Sequence, residues 1–227
     1  MPSKSYFDFL ELLQDVEQLR NTHYDYSKGK SGRKKLGFLT RSSIVMLCAA
    51  WERYCENILL ECVDKVLTTD IEAKALPSYI KEYIGTKVRE NKNIIYPIEL
   101  ADNGWKNLWK GYAVNETNSL NTPNSENLKK LYKRFLGIED FTTMWHETSI
   151  TKINDFIKIR GEIAHNGSKA QYVRFNSLLS SIEIITENAI QIDYSLSQYL
   201  KNKYLVANTW EENYYRKLSS YKKISKL

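Results

Sequence analysis

Histidine and cysteine are both scarce in this chain, with three of each among 227 residues. His23, His146 and His165 are too scattered to build a metal cluster by local spacing. His146-Glu147 begins like a zinc-protease helix, but Ile150 stands where the second histidine is required. Cys48, Cys55 and Cys62 fall seven residues apart. On one helix, neighbours at that spacing lie about 10 Å apart, too far for a disulfide or a shared metal. They read as small buried hydrophobes, and no disulfide framework follows.

Other absences narrow the field further. No apolar run approaches the length of a bilayer-spanning helix, and Met1 to Ser5 leads into an amphipathic segment without a signal-peptide core. The expectation is a cytoplasmic protein with no membrane partner. Gly29-Lys30-Ser31 resembles the end of a phosphate-binding loop, but Tyr24 stands where its first glycine belongs, and a helix precedes it rather than a strand. No serine sits in a strand-turn-helix elbow, and no internal repeat or alternating strand is visible.

Hydrophobic residues make up 42% of the chain and the mean hydropathy is −0.50, so 227 residues can bury a real core. The net charge of +6 and an isoelectric point near 9.0 suit a polyanionic partner without demanding one. Lys28, Lys30, Arg33, Lys34 and Lys35 crowd one connection, and Arg216, Lys217, Lys222, Lys223 and Lys226 mark the C-terminus. The first set is a candidate phosphate-contacting loop, though charge runs are more often only solvated surface.

Apolar spacing predicts helices over about 4–22, 36–67 and 71–89, the last capped by Thr69 or Asp70. Residues 91–122, with Pro97, Gly104 and Gly111, read as an irregular insertion holding one short helix around Trp105 to Tyr112. Asn124 or Ser125 caps a helix ending at Gly137. Two more helices are expected over about 149–165 and 170–200. The fold expected is therefore all-α: a helical domain over 1–200, carrying the 91–122 insertion, then a basic C-terminal extension over 201–227 that could add a helical segment.

Arg160-Gly161-Glu162-Ile163-Ala164-His165, closed by Asn166-Gly167, carries the chemistry. A guanidinium offers a permanent charge and a donor fork matched to phosphate oxygens, and an imidazole exchanges protons near neutral pH. Asn166-Gly167 is expected to stop the helix, which places the pair beside a loop that a ligand can reach. This hexapeptide resembles the R-x4-6-H signature of the HEPN superfamily. Arg41 to Tyr54 resembles the long early helix of the RiboL-PSP-HEPN subgroup and its relatives, as does Pro123 to Leu131 running on to Ile138.

The resemblance implies a HEPN-like helical bundle and a dimeric, metal-independent endoribonuclease without cofactor, acting on RNA. It also implies a setting in toxin–antitoxin or phage-defence systems, with an antitoxin protein as possible partner. Arg160 and His165 would be catalytic, with Glu162 and Asn166 supporting them and Tyr172 able to stack on a base. Five positions on a regular helix turn a side chain by about 140°, so one chain makes a poor Arg-His clamp and a two-fold dimer would repair it. Two alternatives stay open. Arg160 and His165 could simply cap helix-end carbonyls or pair with Asp155 or Glu162. Gly161, where active relatives usually carry a polar residue, could mark a non-catalytic module that binds RNA, a nucleotide or a protein.

Overall fold

A computed structural model describes residues 2–28, 35–146, 149–170 and 172–210, and within them the chain is all-α. Eight α-helices follow one another: α1 (Lys4–Ser27), α2 (Gly37–Leu67), α3 (Ser78–Glu90), α4 (Tyr96–Glu99), α5 (Gly104–Asn118), α6 (Ser125–Leu136), α7 (Ser149–Asn166) and α8 (Phe175–Tyr204). Short 3-10 turns cover Ala73–Ala75, Phe141–Met144 and Gly167–Lys169.

α2 is the axis of the bundle. It packs against α1, α5, α6, α7 and α8, and Leu47, Trp51, Cys55, Ile58 and Cys62 are fully buried along it. Each cysteine is a free thiol inside this core, as their spacing implies. Helix ends follow local chemistry. Ser3 caps α1 by accepting from the Tyr6 amide at 3.0 Å, and Asn124 caps α6 by accepting from the Asn127 amide at 2.8 Å. Gly137 ends α6 at φ +67, where the Ile138 amide turns back to the Tyr132 carbonyl.

Buried polar groups tie the elements together. The Tyr54 hydroxyl donates to the Ala189 carbonyl of α8 at 2.6 Å, and the Tyr132 hydroxyl donates to the Cys55 carbonyl of α2 at 2.8 Å. Asn154 of α7 locks α6 in place, accepting from the Ser125 amide at 3.0 Å and donating to the Ser125 hydroxyl at 2.9 Å.

Several boundaries differ from the sequence expectation. α3 starts at Ser78 rather than near Ile71, because Pro77 forces Leu76 into an extended conformation (ψ 149°). α8 starts at Phe175, not Ala170: Arg174 is extended immediately before it, and Val173 buries its side chain. α1 continues to Ser27, beyond the expected end at 22. Within 91–122 the short helix around Trp105 to Tyr112 grows into the 15-residue α5, whose Trp109 and Ala113 are fully buried. The basic set near the C-terminus lies outside the described residues.

Candidate nucleic-acid cleavage site

The end of α1, the start of α2, the end of α7 and the start of α8 lie toward one pole of the bundle, with Arg160 further along α7 from it. α1 and α2 form a hairpin there, and α7 ends where α8 begins. Arg160 on α7 reaches α2, and His23 near the end of α1 stacks its ring on Phe175 at the start of α8 (centroids 4.2 Å apart, planes within 8°). A methyl group added to Gly37, the first residue of α2, would lie 3.7 Å from the Tyr172 ring and 3.2 Å from the Arg41 guanidinium. Tyr172 therefore stands against the first turn of α2.

Arg160 does not pair with Asp155 or Glu162. Its guanidinium lies 3.5 Å from the Glu52 carboxylate of α2, with the two side chains 32% and 18% exposed. Burial pushes the Glu52 carboxyl above the ordinary range, while the charges of Arg160 and Arg53 pull it back down. Cys48, one turn before Glu52, also touches this group. Burial pushes its thiol up to about 11, although the Arg160 charge and hydrogen bond oppose the rise. A thiol held that high offers no nucleophile at neutral pH.

His165 is exposed in the last turn of α7, which stays helical through Asn166 before Gly167 turns at φ +53. Arg160 and His165 consequently point about 140° apart around one helix. Asn166 is exposed beside His165, and Glu162 is half-buried one turn before it. A methyl group added to Gly161 meets nothing within 4 Å, so open space lies where active relatives are expected to carry a polar side chain.

Tyr172 is 63% exposed and forms the rim of a cleft of about 390 Å³ between α7 and α8. Ile159, Ile163, Ala170 and Val173 supply its apolar walls, and Glu162, Arg174 and Ser177 supply its polar groups. Of the basic loop, Lys28 and Lys35 are exposed with left-handed backbones (φ +50 and +58), flanking α1 and α2. Lys30, Arg33 and Lys34 lie outside the described residues. Gly37 and the neighbouring Lys35 stand roughly 20 Å along α2 from the level of Arg160.

Sequence reading missed Glu52, whose only local mark is its place beside Trp51 on the long second helix. It also set aside His23, which burial holds below the ordinary imidazole range. Neither has a sequence neighbour in the motif, so only the packing of α1 and α2 against α7 and α8 brings them near. Among the described residues, no group of three or more His, Cys, Asp or Glu side chains could hold a metal ion, and no helix is long and apolar enough to cross a membrane.

The family model described as RiboL-PSP-HEPN matches residues 10–198, a span that takes in Glu52, the Arg160–His165 segment and the whole α7–α8 cleft. No curated protein and no solved structure matches the chain.

Proposed function

The chain belongs to the RiboL-PSP-HEPN family, and from that premise we propose that it is a metal-independent endoribonuclease that works as a dimer. The observation that carries the reading is the Arg160 guanidinium held at the end of α7 by Glu52, five residues from an exposed His165. In this chemistry one histidine takes the proton of a ribose 2′-hydroxyl, and the 2′-oxygen bonds to phosphorus. The bond from phosphorus to the 5′-oxygen breaks, and a second histidine protonates the leaving oxygen. Arg160 stabilises the charge that builds on the phosphoryl oxygens.

The products are a 2′,3′-cyclic phosphate and a free 5′-hydroxyl, and DNA is spared because it lacks the nucleophile. Lys28 and Lys35, with Lys30, Arg33 and Lys34, serve as phosphate contacts that attract RNA without reading its sequence. The biological setting that goes with this reading is a toxin of a toxin–antitoxin or phage-defence system, restrained by an antitoxin protein.

Purified protein should cut RNA in EDTA, leave cyclic phosphate ends and leave DNA of the same sequence intact. R160A and H165A should each lose at least a hundredfold in rate with melting temperatures close to the parent, since neither side chain is fully buried. Undiminished cutting by H165A would sink the reading. Expression should be toxic to the host cell, with H165A relieving it.

Gly161 favours a second reading, a non-catalytic module that binds RNA through the same surface. It predicts RNA binding that R160A weakens, no cleavage by the parent protein and no toxicity that depends on His165.

A further inference from the structure

The cleft between α7 and α8 has walls and polar groups of two different kinds. Ile163 and Val173 are buried, so the apolar wall is fixed by the core and keeps its shape when empty of ligand. Tyr172 leaves a large ring 63% exposed at the rim. Among the described residues, the Glu162 carboxylate, the Arg174 guanidinium and the Ser177 hydroxyl make no hydrogen bond or ion pair. The half-buried Glu162 and the exposed Arg174 and Ser177 give an apolar cleft a few polar groups, a composition that small-molecule sites share, and the cleft's volume of about 390 Å³ suits one nucleoside.

The carboxylate limits which nucleoside fits. An ionised Glu162 offers two acceptor oxygens and no donor, so it matches a ligand edge with two adjacent N–H groups. Guanine presents N1–H beside its N2 amine on one edge. Adenine sets an acceptor nitrogen beside its amine, cytosine does the same, and uracil flanks its single N–H with two carbonyls. Only guanine satisfies both oxygens at once. The edge in question is the pairing edge, so the base must be unpaired, as bases read by proteins in RNA commonly are.

Position links the cleft to the cleavage chemistry. Glu162 and His165 are three residues apart on α7, which makes them neighbours on the helix surface with Cβ atoms roughly 5–6 Å apart. An RNA strand with one base gripped by Glu162 therefore passes close to His165. Arg174, the residue just before α8, lies on the rim for an adjoining phosphate.

We propose that this cleft binds one unpaired guanine, with Tyr172 stacked on its face, Glu162 accepting from N1 and N2, and Arg174 on a neighbouring phosphate. The guanine preference stands on the cleft alone, and its use in choosing the cut site rests on the ribonuclease reading above.

Calorimetric titration of the full chain with guanosine and adenosine 5′-monophosphates tests the binding, and the H165A protein separates it from catalysis. The guanine nucleotide should bind at least tenfold more tightly than the adenine one in both proteins. Inosine monophosphate, which lacks the N2 amine, should fall between them. E162Q should bring the two nucleotides within about threefold, and R174A should weaken both alike. Equal affinities, an unchanged preference in E162Q, or no binding at millimolar nucleotide would overturn the proposal.

Mapping cuts on a single-stranded RNA distinguishes the two claims. Cuts beside guanine that spread to other bases in E162Q support both. Cleavage without base preference removes the guanine pocket and keeps the ribonuclease. Selective guanine binding without cleavage keeps the pocket and removes the ribonuclease.

Discussion

Glu52 is the residue on which the Arg160 geometry turns. Burial works against its charge and the guanidinium offsets part of that, so each side chain keeps the other where a phosphate could use the arginine. A partly exposed pair of this kind adds about 1 kcal/mol or less to stability. For a chain of this size that amounts to roughly 2–4 °C of melting temperature. E52Q, which removes the charge and keeps the shape, should therefore melt within a few degrees of the parent yet lose at least tenfold in cleavage rate. A rate equal to the parent's would reduce the pair to a surface contact. Gly161 makes the opposite kind of prediction. It sits inside α7 with open space around its missing Cβ, so G161A should gain about 1 kcal/mol, read as a higher urea midpoint at unchanged slope. Arg160 and His165 stood out in the sequence through the motif that their segment resembles. Glu52 did not, because an ion pair between distant helices leaves no periodic trace in either one.

Helices long enough to show a stripe were readable, and their ends were readable where a cap or a proline set them. Asn124 and Gly137 mark α6 by local rules that need no tertiary contact. Pro77 delays the start of α3 beyond where the apolar spacing alone would put it, and Val173 is buried just before α8, which composition does not announce. The tie between α8 and the chain's beginning was equally hidden. Asp193 is buried in α8, and both of its oxygens accept from the Ser3 amide, at 3.2 and 3.0 Å. Burial is the largest cause that raises its carboxyl from 3.8 to about 7, against the lowering by the Ser3 hydrogen bonds. The folded protein thus holds this proton more tightly than the unfolded chain does. As pH rises from about 4 to 7 the unfolded state ionises first, and stability falls across that window. D193N cannot titrate, so the stability difference between variant and parent should shift in the variant's favour from pH 4 to pH 7 and level off above it. A difference that stays flat over this range would mean that Asp193 ionises normally in the folded protein.

The molecule as a whole leaves the arginine and the histidine of one chain facing different directions. α7 remains helical through Asn166, so the turn of about 140° between Arg160 and His165 is not relaxed by unwinding. A single chain also has one motif histidine, whereas the proposed reaction needs one proton acceptor and one donor. Two copies related by a two-fold axis would bring two of each group to one cleft. Dilution should then lower the rate per chain as dimers part, and sedimentation should show dimers at the concentrations where activity is full. Poisoning gives the sharper measurement. With RNA in excess over total protein, so that inactive chains do not sequester it, added H165A protein should draw parent chains into mixed dimers that hold a single motif histidine. The rate per parent chain should fall several-fold as H165A rises to tenfold excess. A rate per parent chain that stays constant throughout would mean that each chain completes its own site. The proton transfers would then have to be reassigned within one protomer, with His23 as the histidine nearest the same pole.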